Sequence, residues 1–361
     1  MMKNTVTLKD IAEKTGVSIK AVSSAINGTG RLSPETRERI LVVSRELGYR
    51  PNIMARGLQG KKTFLIGAVF PYVNESFFNH IIGGLEKRCT EAGYDLLLGN
   101  SSTYDDRNLK TSLPDEIRTI HRMVERGVDG IVTFPHPRAY DLYAELAVKG
   151  PPCVFAMRKT PGVDLPFLGV DNVGGAYAAV VHLLQLGHRR IGFLGSASEN
   201  HGEIDSRRTG WIKALLEWGV AIKLEEFEEP CAMTYENGYE AARRLIAKAE
   251  GLTAIFASTD YVALGTIRAC RDLGLTVPGH ISVVGFDDIE LARYQGGLQL
   301  TSVAQPKEEI GFHCFDMLKQ AIDGERPQDL LLDPRLVVRE TTSSPSGGAR
   351  GEGPQPGSNS R

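Results

Sequence analysis

Beyond residue 63 the chain alternates between short apolar runs of strand length and longer stretches with helical periodicity, and few folds accept that alternation. Strand-like runs at Phe64 to Phe70, Asp95 to Leu98, Ile131 to Phe134 and Cys153 to Ala156 enclose a helix from about Phe77 to Ala92 and another ending near Gly127. The pattern then starts again with Phe167 to Val170, Ile191 to Leu194, Ala254 to Ala257 and Ile281 to Phe286 as strands. Val173 to Leu186, Arg207 to Trp218, Tyr235 to Ala247 and Asp260 to Leu273 read as helices. Repeated βα units predict doubly wound parallel sheets, and two runs predict two similar subdomains with a cleft between them.

The first 62 residues are different in kind. They hold twelve Lys or Arg against five Asp or Glu, a net +7, so the remainder, with 30 basic and 39 acidic residues, carries −9. A basic head on an acidic body points to contact with a polyanion, although a solvated basic surface has the same composition. Thr7 and Asp10 have capping-box spacing ahead of Leu8, Ile11 and Ala12; Ser18 precedes a helix reaching Asn27 with Val22, Ala25 and Ile26 on one face; Ser33-Pro34 opens a third that Gly48 ends. Helix, a short turn containing Gly16, then helix is helix-turn-helix spacing. Length and a 42% hydrophobic content allow more than one core. Five scattered cysteines form no metal or redox pairs and read as reduced core residues. There is no signal-peptide core and no membrane-length apolar run, which predicts a cytoplasmic protein with no membrane contact. No G-x-G-x-x-G follows the first strand, and P-loop, H-E-x-x-H and G-x-S-x-G motifs are missing; the chain is expected not to be an enzyme and to need no cofactor or metal.

Specific residues narrow this further. Thr7-Leu8-Lys9-Asp10-Ile11-Ala12, Gly16-Val17-Ser18, Ala21-Val22-Ser23, Ser33-Pro34-Glu35-Thr36-Arg37, Leu47-Gly48-Tyr49, Pro51-Asn52 and Ala55-Arg56, followed by Val128-Asp129-Gly130, Val170-Asp171-Asn172, Leu186-Gly187-His188-Arg189, Ser282 to Asp288 and Leu300-Thr301-Ser302-Val303, together resemble the lactose/galactose repressor family. The resemblance runs to about Thr342. It implies an α/β core of the type I periplasmic binding protein kind carrying a small all-α helix-turn-helix head on a hinge helix. The head is expected at 1–50, the hinge at 51–62 and the effector-binding core at 63–342. Within that core, 63–160 plus 290–325 form the N-subdomain and 161–289 plus 326–342 the C-subdomain. A disordered tail is expected at 343–361. The function implied is that of a homodimeric, sequence-specific regulator of transcription, most simply a repressor, whose hold on operator DNA answers to a small sugar-like effector.

The same resemblance assigns roles. Ile19, Lys20 and Ser24 read bases, with Lys20 able to donate to guanine and Ile19 to pack on a thymine methyl; Thr7, Ser18, Ser23 and Asn27 support them. In the hinge, Asn52, Ala55, Arg56 and Leu58 contact DNA, with Leu58 as a minor-groove wedge. Effector contacts fall on Phe77, Phe78, Arg158, Asp171, Arg207, Thr259, Asp260 and Asp287. Carboxylates and guanidinium groups suit hydroxyl-rich ligands in a dry cleft. A structural salt bridge is the other reading of Arg207 and Asp287, and core packing that of Phe77. Thr259, Met233 and Met157 depart from the commoner pattern of sugar-responsive members and leave the ligand open. The stretch from Ser101 to Leu113 is long for the family and has no functional account.

Overall fold

The computed structural model describes residues 6–26, 29–49, 62–73, 75–105, 108–195, 202–221, 223–294 and 297–346. The chain divides into two units, residues 1–63 and 64–361.

In the first unit α1 (Leu8–Thr15), α2 (Ile19–Ile26) and α3 (Pro34–Glu46) close over Ile11, Ala12, Val22, Ala25 and Ile40. The ends of these helices are written in the sequence. The Thr7 hydroxyl accepts from the Asp10 N–H at 3.4 Å while the Asp10 carboxylate accepts from the Thr7 N–H at 2.7 Å, a complete capping box. Gly16 stops α1 with φ +69°, a left-handed conformation that a residue with a Cβ adopts only under strain, and so sets the turn into α2. Ser18 then accepts from the Ala21 N–H at 3.2 Å, and Ser33 caps α3 with Pro34 in its first turn.

The second unit holds β1 (Leu65–Phe70), α4 (Ser76–Glu91), β2 (Asp95–Asn100), the hairpin β3 (Ser102–Asp105) and β4 (Asn108–Thr111), α5 (Leu113–Glu125), β5 (Gly130–Thr133), α6 (Tyr140–Lys149), β6 (Cys153–Ala156) and β7 (Phe167–Val170). It continues with α7 (Asn172–Gln185), β8 (Ile191–Gly195), α8 (Gly202–Glu217), α9 (Leu224–Phe227), β9 (Glu228–Pro230), α10 (Tyr235–Lys248), β10 (Ala254–Ala257) and α11 (Asp260–Asp272). The last elements are β11 (Ser282–Asp287), α12 (Leu291–Tyr294), β12 (Thr301–Ala304), α13 (Lys307–Ile322), β13 (Leu330–Leu332) and β14 (Arg335–Val337).

These strands form two six-stranded sheets, β13-β7-β6-β5-β1-β2 and β14-β12-β11-β10-β8-β9, parallel except where β14 runs against β12. Strand order reverses beside β1 in one sheet and beside β8 in the other, and in such sheets a crevice opens at the carboxyl ends of the strands. The inner strands are wholly buried, which is why they read as unbroken apolar runs.

The pairing redraws the expected subdomains. Phe167–Val170, expected to open the second, joins the first sheet through Phe155↔Phe167, and Thr301–Ala304, expected in the first, joins the second sheet through Val284↔Thr301. Leu330–Leu332 likewise pairs with β7 of the first sheet. The chain therefore crosses three times, after Val170, after Ala304 and after Leu332, where the expected blocks place the crossings after residues 160, 289 and 325. Helix α8 begins at Gly202, five residues before the expected Arg207, and α6 and α13 were not read from the sequence. The long 101–113 stretch is the β3–β4 hairpin.

The expected disorder does not begin at Ser343. Its N–H donates to the Ser282 hydroxyl at 3.1 Å, and its carbonyl lies 2.9 Å from Nε2 of His188, whose Nδ1 lies 2.9 Å from the Thr253 hydroxyl. A buried imidazole needs partners at both nitrogens, and this stretch of chain supplies one. Residues 347–361 lie outside those described. All five cysteines are free and buried, and burial pushes the Cys89, Cys231 and Cys270 thiols up to about 12, with Cys153 and Cys314 raised still further. A thiol reagent at pH 8 is accordingly expected to label none of them until urea unfolds the core; stoichiometric labelling of native protein would contradict this packing.

Candidate functional site

Backbone strain marks where the second unit does its work. Of the non-glycine residues with positive φ, Tyr72, Met157, Asp287 and Asp288 follow or end strands β1, β6 and β11 on the carboxyl side, and Phe64 precedes β1. Such conformations persist only where surrounding structure enforces them, and they concentrate at functional sites.

Arg207 lies at the centre of this side. Its Nε donates to Asn172 Oδ1 at 2.9 Å, its Nη1 donates to the Ser258 carbonyl at 2.6 Å and sits 3.3 Å from Asp287 Oδ1, and its guanidinium lies 3.7 Å from the centre of the Phe286 ring. Asp287 also accepts from the Gln305 amide at 2.7 Å, and Lys307 Nζ donates to the Asp287 and Asp288 carbonyls. Burial favours the neutral form of each charged member: it lowers the Arg207 guanidinium and the Lys307 amine and raises the Asp287 carboxyl, while the mutual attraction of the three opposes each shift. Among the described residues Ser258 Oγ and Gln305 Oε1 are buried without a hydrogen-bond partner.

A second pair bridges the sheets. Arg158, following β6 of the first sheet, donates twice to Glu203 in the first turn of α8, at 2.7 and 3.1 Å, and its guanidinium stacks 4.3 Å from the Phe134 ring centre. Together with Met157, Asp171, Asn172 and Ser206 they line a cavity of about 440 Å3. Phe134 is held from behind: Glu116, buried with its carboxyl raised by desolvation, accepts the His136 N–H at 3.0 Å and the Tyr143 hydroxyl at 2.5 Å.

The expected effector residues separate into three groups. Arg207 and Asp287 pair directly, Arg158 lines the neighbouring cavity with Glu203, and Phe77 touches the cores of both sheets and lies 5.9 Å beneath Lys307 Nζ. Asp171 and Thr259 cap α7 and α11, accepting from Gly174 and Val262. Phe78 and Asp260 stand behind the wall. Phe78 packs against Phe70 and Phe134 in the first core. Asp260 has no exposed surface, and both its oxygens are engaged, one by the Ser302 hydroxyl at 2.6 Å and one by the Ile289 N–H at 2.8 Å; burial, then Asp287, holds its carboxyl well above the usual range. It ties α11 to β12 and to the turn after β11 through partners 42 and 29 residues away in sequence, which spacing alone cannot reveal. Asn172, Ser258, Gln305, Lys307 and Glu203 were missed as site residues. Only Asn172 carried a signal, as the last residue of the Val170-Asp171-Asn172 motif.

In the head, α2 turns Val22 and Ala25 inward and leaves Ser18, Lys20 and Ile19, the last 49% exposed, facing out, with Ser23 and Ser24 half-buried. An exposed isoleucine beside an exposed lysine on a short, capped helix suits a groove with methyl groups and acceptors on its floor. Thr7 is engaged in its capping box. Asn27 and the hinge positions Asn52, Ala55, Arg56 and Leu58 lie outside the described residues. Among those described, no helix is long and apolar enough to cross a membrane.

A helix-turn-helix head on a core of two parallel sheets defines a ligand-responsive DNA-binding regulator. Residues 7–52 match the bacterial regulatory proteins of the lacI family and residues 180–342 a periplasmic binding protein-like domain. The chain is 32% identical to catabolite control protein A of Priestia megaterium over 340 residues, 93% of this chain and 99% of that one. It resembles the lac repressor dimer bound to operator and the anti-inducer ONPF (TM-score 0.80, 27% identity, 94% of this chain and 99% of that one) and a CelR–cellobiose complex (0.69, 30%, 93% and 99%). The chain belongs to the lacI family of transcriptional regulators.

Proposed function

We propose that this chain is a cytoplasmic, homodimeric repressor in which Ile19, Lys20 and Ser24 read the operator and the cleft around Arg207 and Asp287 binds a small sugar-like effector. One observation carries the effector reading. The buried Arg207–Asp287 pair draws its partners from α7, β10, β11 and the Gln305 crossover, so a ligand that touches it is felt where the chain passes between sheets. An effector shifts DNA affinity only by its differential affinity for two arrangements of the protein, and crossovers are where such arrangements differ. The relatives support the same reading: one solved complex holds an operator and an anti-inducer, another a disaccharide. Thr7 and Ser18 set the entry angle of the reading helix, Ser23 and Asn27 lie on or just beyond it, and Asn52, Ala55, Arg56 and Leu58 serve the hinge. Binding to operator fragments across a salt series tests the DNA reading. Affinity should fall steeply between 50 and 200 mM salt as phosphate contacts are screened; salt-independent or absent binding overturns it.

Lys20→Ala gives the sharper test. Among the described residues its ammonium has no hydrogen-bond or ion-pair partner, so its loss should spare the fold and cost roughly 1–3 kcal/mol at the preferred operator while relaxing choice at one base pair. Selection from random DNA that returns one motif for both proteins would remove Lys20 from base reading.

A further inference from the structure

Glu75 occupies the N-cap of α4, a sixteen-residue helix, yet makes no capping hydrogen bond. Ser, Thr, Asp or Asn there would satisfy an orphan N–H; a glutamate gives that up. Among the described residues its carboxylate has neither a hydrogen-bond nor an ion-pair partner, although it is largely withdrawn from water. Its electrostatic neighbours are Asp287 and Tyr261, groups of the second sheet's layer, and Phe77, two residues on, packs against that layer's core. Glu75 thus faces the Arg207–Asp287 centre from the first sheet's side. A local choice that opposes both capping and charge balance marks a functional position.

Two valences are left open nearby. Among the described residues Gln305 Oε1, an acceptor, and Ser258 Oγ are buried and unpartnered, while both guanidinium groups are matched by carboxylates, Arg158 by Glu203 and Arg207 by Asp287, and Lys307 donates to two carbonyls. Building on the cleft as effector site, we infer that Glu75 is its specificity-determining carboxylate, giving the cleft an acceptor-rich end that selects an uncharged polyhydroxylated ligand and rejects phosphorylated ones. The ionised carboxylate accepts from ligand hydroxyls. A phosphate would meet two carboxylates, Glu75 and Asp287, against one cation, Lys307, that has no ion-pair partner among the described residues.

Without ligand the same carboxylate is a liability. Burial first, then Asp287, lifts it to about 7; Tyr261 lies beside it, and Asp260, Lys307 and Arg207 are the charged or titratable groups around Asp287. Its folded value lies above its unfolded one, so the associated stability is present at low pH and lost as pH rises through 7. Full-length Glu75→Gln should therefore melt roughly 3–6 °C above wild type at pH 8, the gap narrowing by pH 5. A variant that melts below wild type at pH 8 overturns the assignment, since Glu75 would then hold the fold together. In thermal-shift titrations with glucose and glucose 6-phosphate, ribose and ribose 5-phosphate, adenosine and AMP, and cellobiose, wild type should respond to unphosphorylated compounds only, and Glu75→Gln should bind the responder at least about tenfold more weakly. Tighter binding of a phosphorylated member, or no response to any compound, overturns the ligand class. Asp287→Asn separates the underlying reading. A responder bound normally by that variant removes the cleft as effector site, whereas one lost in Asp287→Asn but bound equally by wild type and Glu75→Gln removes only Glu75.

Discussion

Arg207→Ala is expected to abolish the effector response and to destabilise the core by roughly 3–5 kcal/mol, while operator affinity without effector stays within a few-fold of wild type. The guanidinium is the hub of four interactions with Asn172, Ser258, Asp287 and Phe286, and its removal leaves Asp287 buried with only Gln305 and Lys307 for company. A buried carboxylate deprived of its partner costs more than the pair contributed. The pH dependence has a definite sign. Burial already raises Asp287, and losing the cation raises it further, so its folded value stands above its unfolded one. The penalty is full above the folded value and fades as pH falls toward the unfolded one. Urea melts at pH 7.5 and 5 should show the variant closing on wild type at the lower pH. Arg207→Lys separates charge from geometry: the ammonium restores part of the stability but cannot reproduce the fork on Asn172 and Ser258, so the effector response stays lost. An Arg207→Ala protein that still releases operator on addition of effector would dismiss this pair from the site.

How much was legible follows from how far apart the interacting residues are. The βα alternation, the helix caps at Thr7, Ser18 and Ser33 and the inward face of α2 depend on neighbours within four residues, and sequence displayed them directly. Arg207 and Asp287 were reached by resemblance, and the geometry joins them. The subdomain division was misdrawn because membership of a sheet is decided by partners such as Phe155↔Phe167 and Val284↔Thr301, which local pattern does not encode. Asp260 was misread for a related reason. An aspartate opening a helix just after a strand looks equally suited to a ligand or to the fold, and only the drawn hydrogen bonds show the Ser302 hydroxyl and the Ile289 N–H on its two oxygens. Glu75 was overlooked because its significance lies in an omission: a cap position without a cap is visible only when the hydrogen bonds are drawn.

Two glycines on packed helices, Gly83 of α4 and Gly311 of α13, should respond to the same substitution with opposite signs. At Gly84 an added Cβ would lie 2.2 Å from the Glu308 carbonyl oxygen, and at Gly311 it would lie 2.1 Å from that of Ile81, so α4 and α13 cross backbone against backbone at these two positions. No side chain there can swing aside; the helices themselves must part. Gly83, one residue earlier, is exposed and has nothing within 4 Å of its Cβ position. Gly83→Ala should stabilise the protein by about 0.4–1 kcal/mol through the unfolded chain's lost freedom. Gly311→Ala should cost about 3 kcal/mol, the upper end for overpacking, and lower the Tm by roughly 6–12 °C. The consequence extends to function, because α13 begins with Lys307 on the Asp287 carbonyl and α4 begins beside Glu75 and Phe77. Parting the helices moves the first-sheet wall of the cleft away from Arg207, so Gly311→Ala should weaken effector binding even at temperatures where the protein is fully folded, and Gly83→Ala should not. Equal melting temperatures for the two variants would mean that the crossing is not the close contact its geometry describes, and effector affinity unchanged in Gly311→Ala would free the cleft wall from dependence on α13.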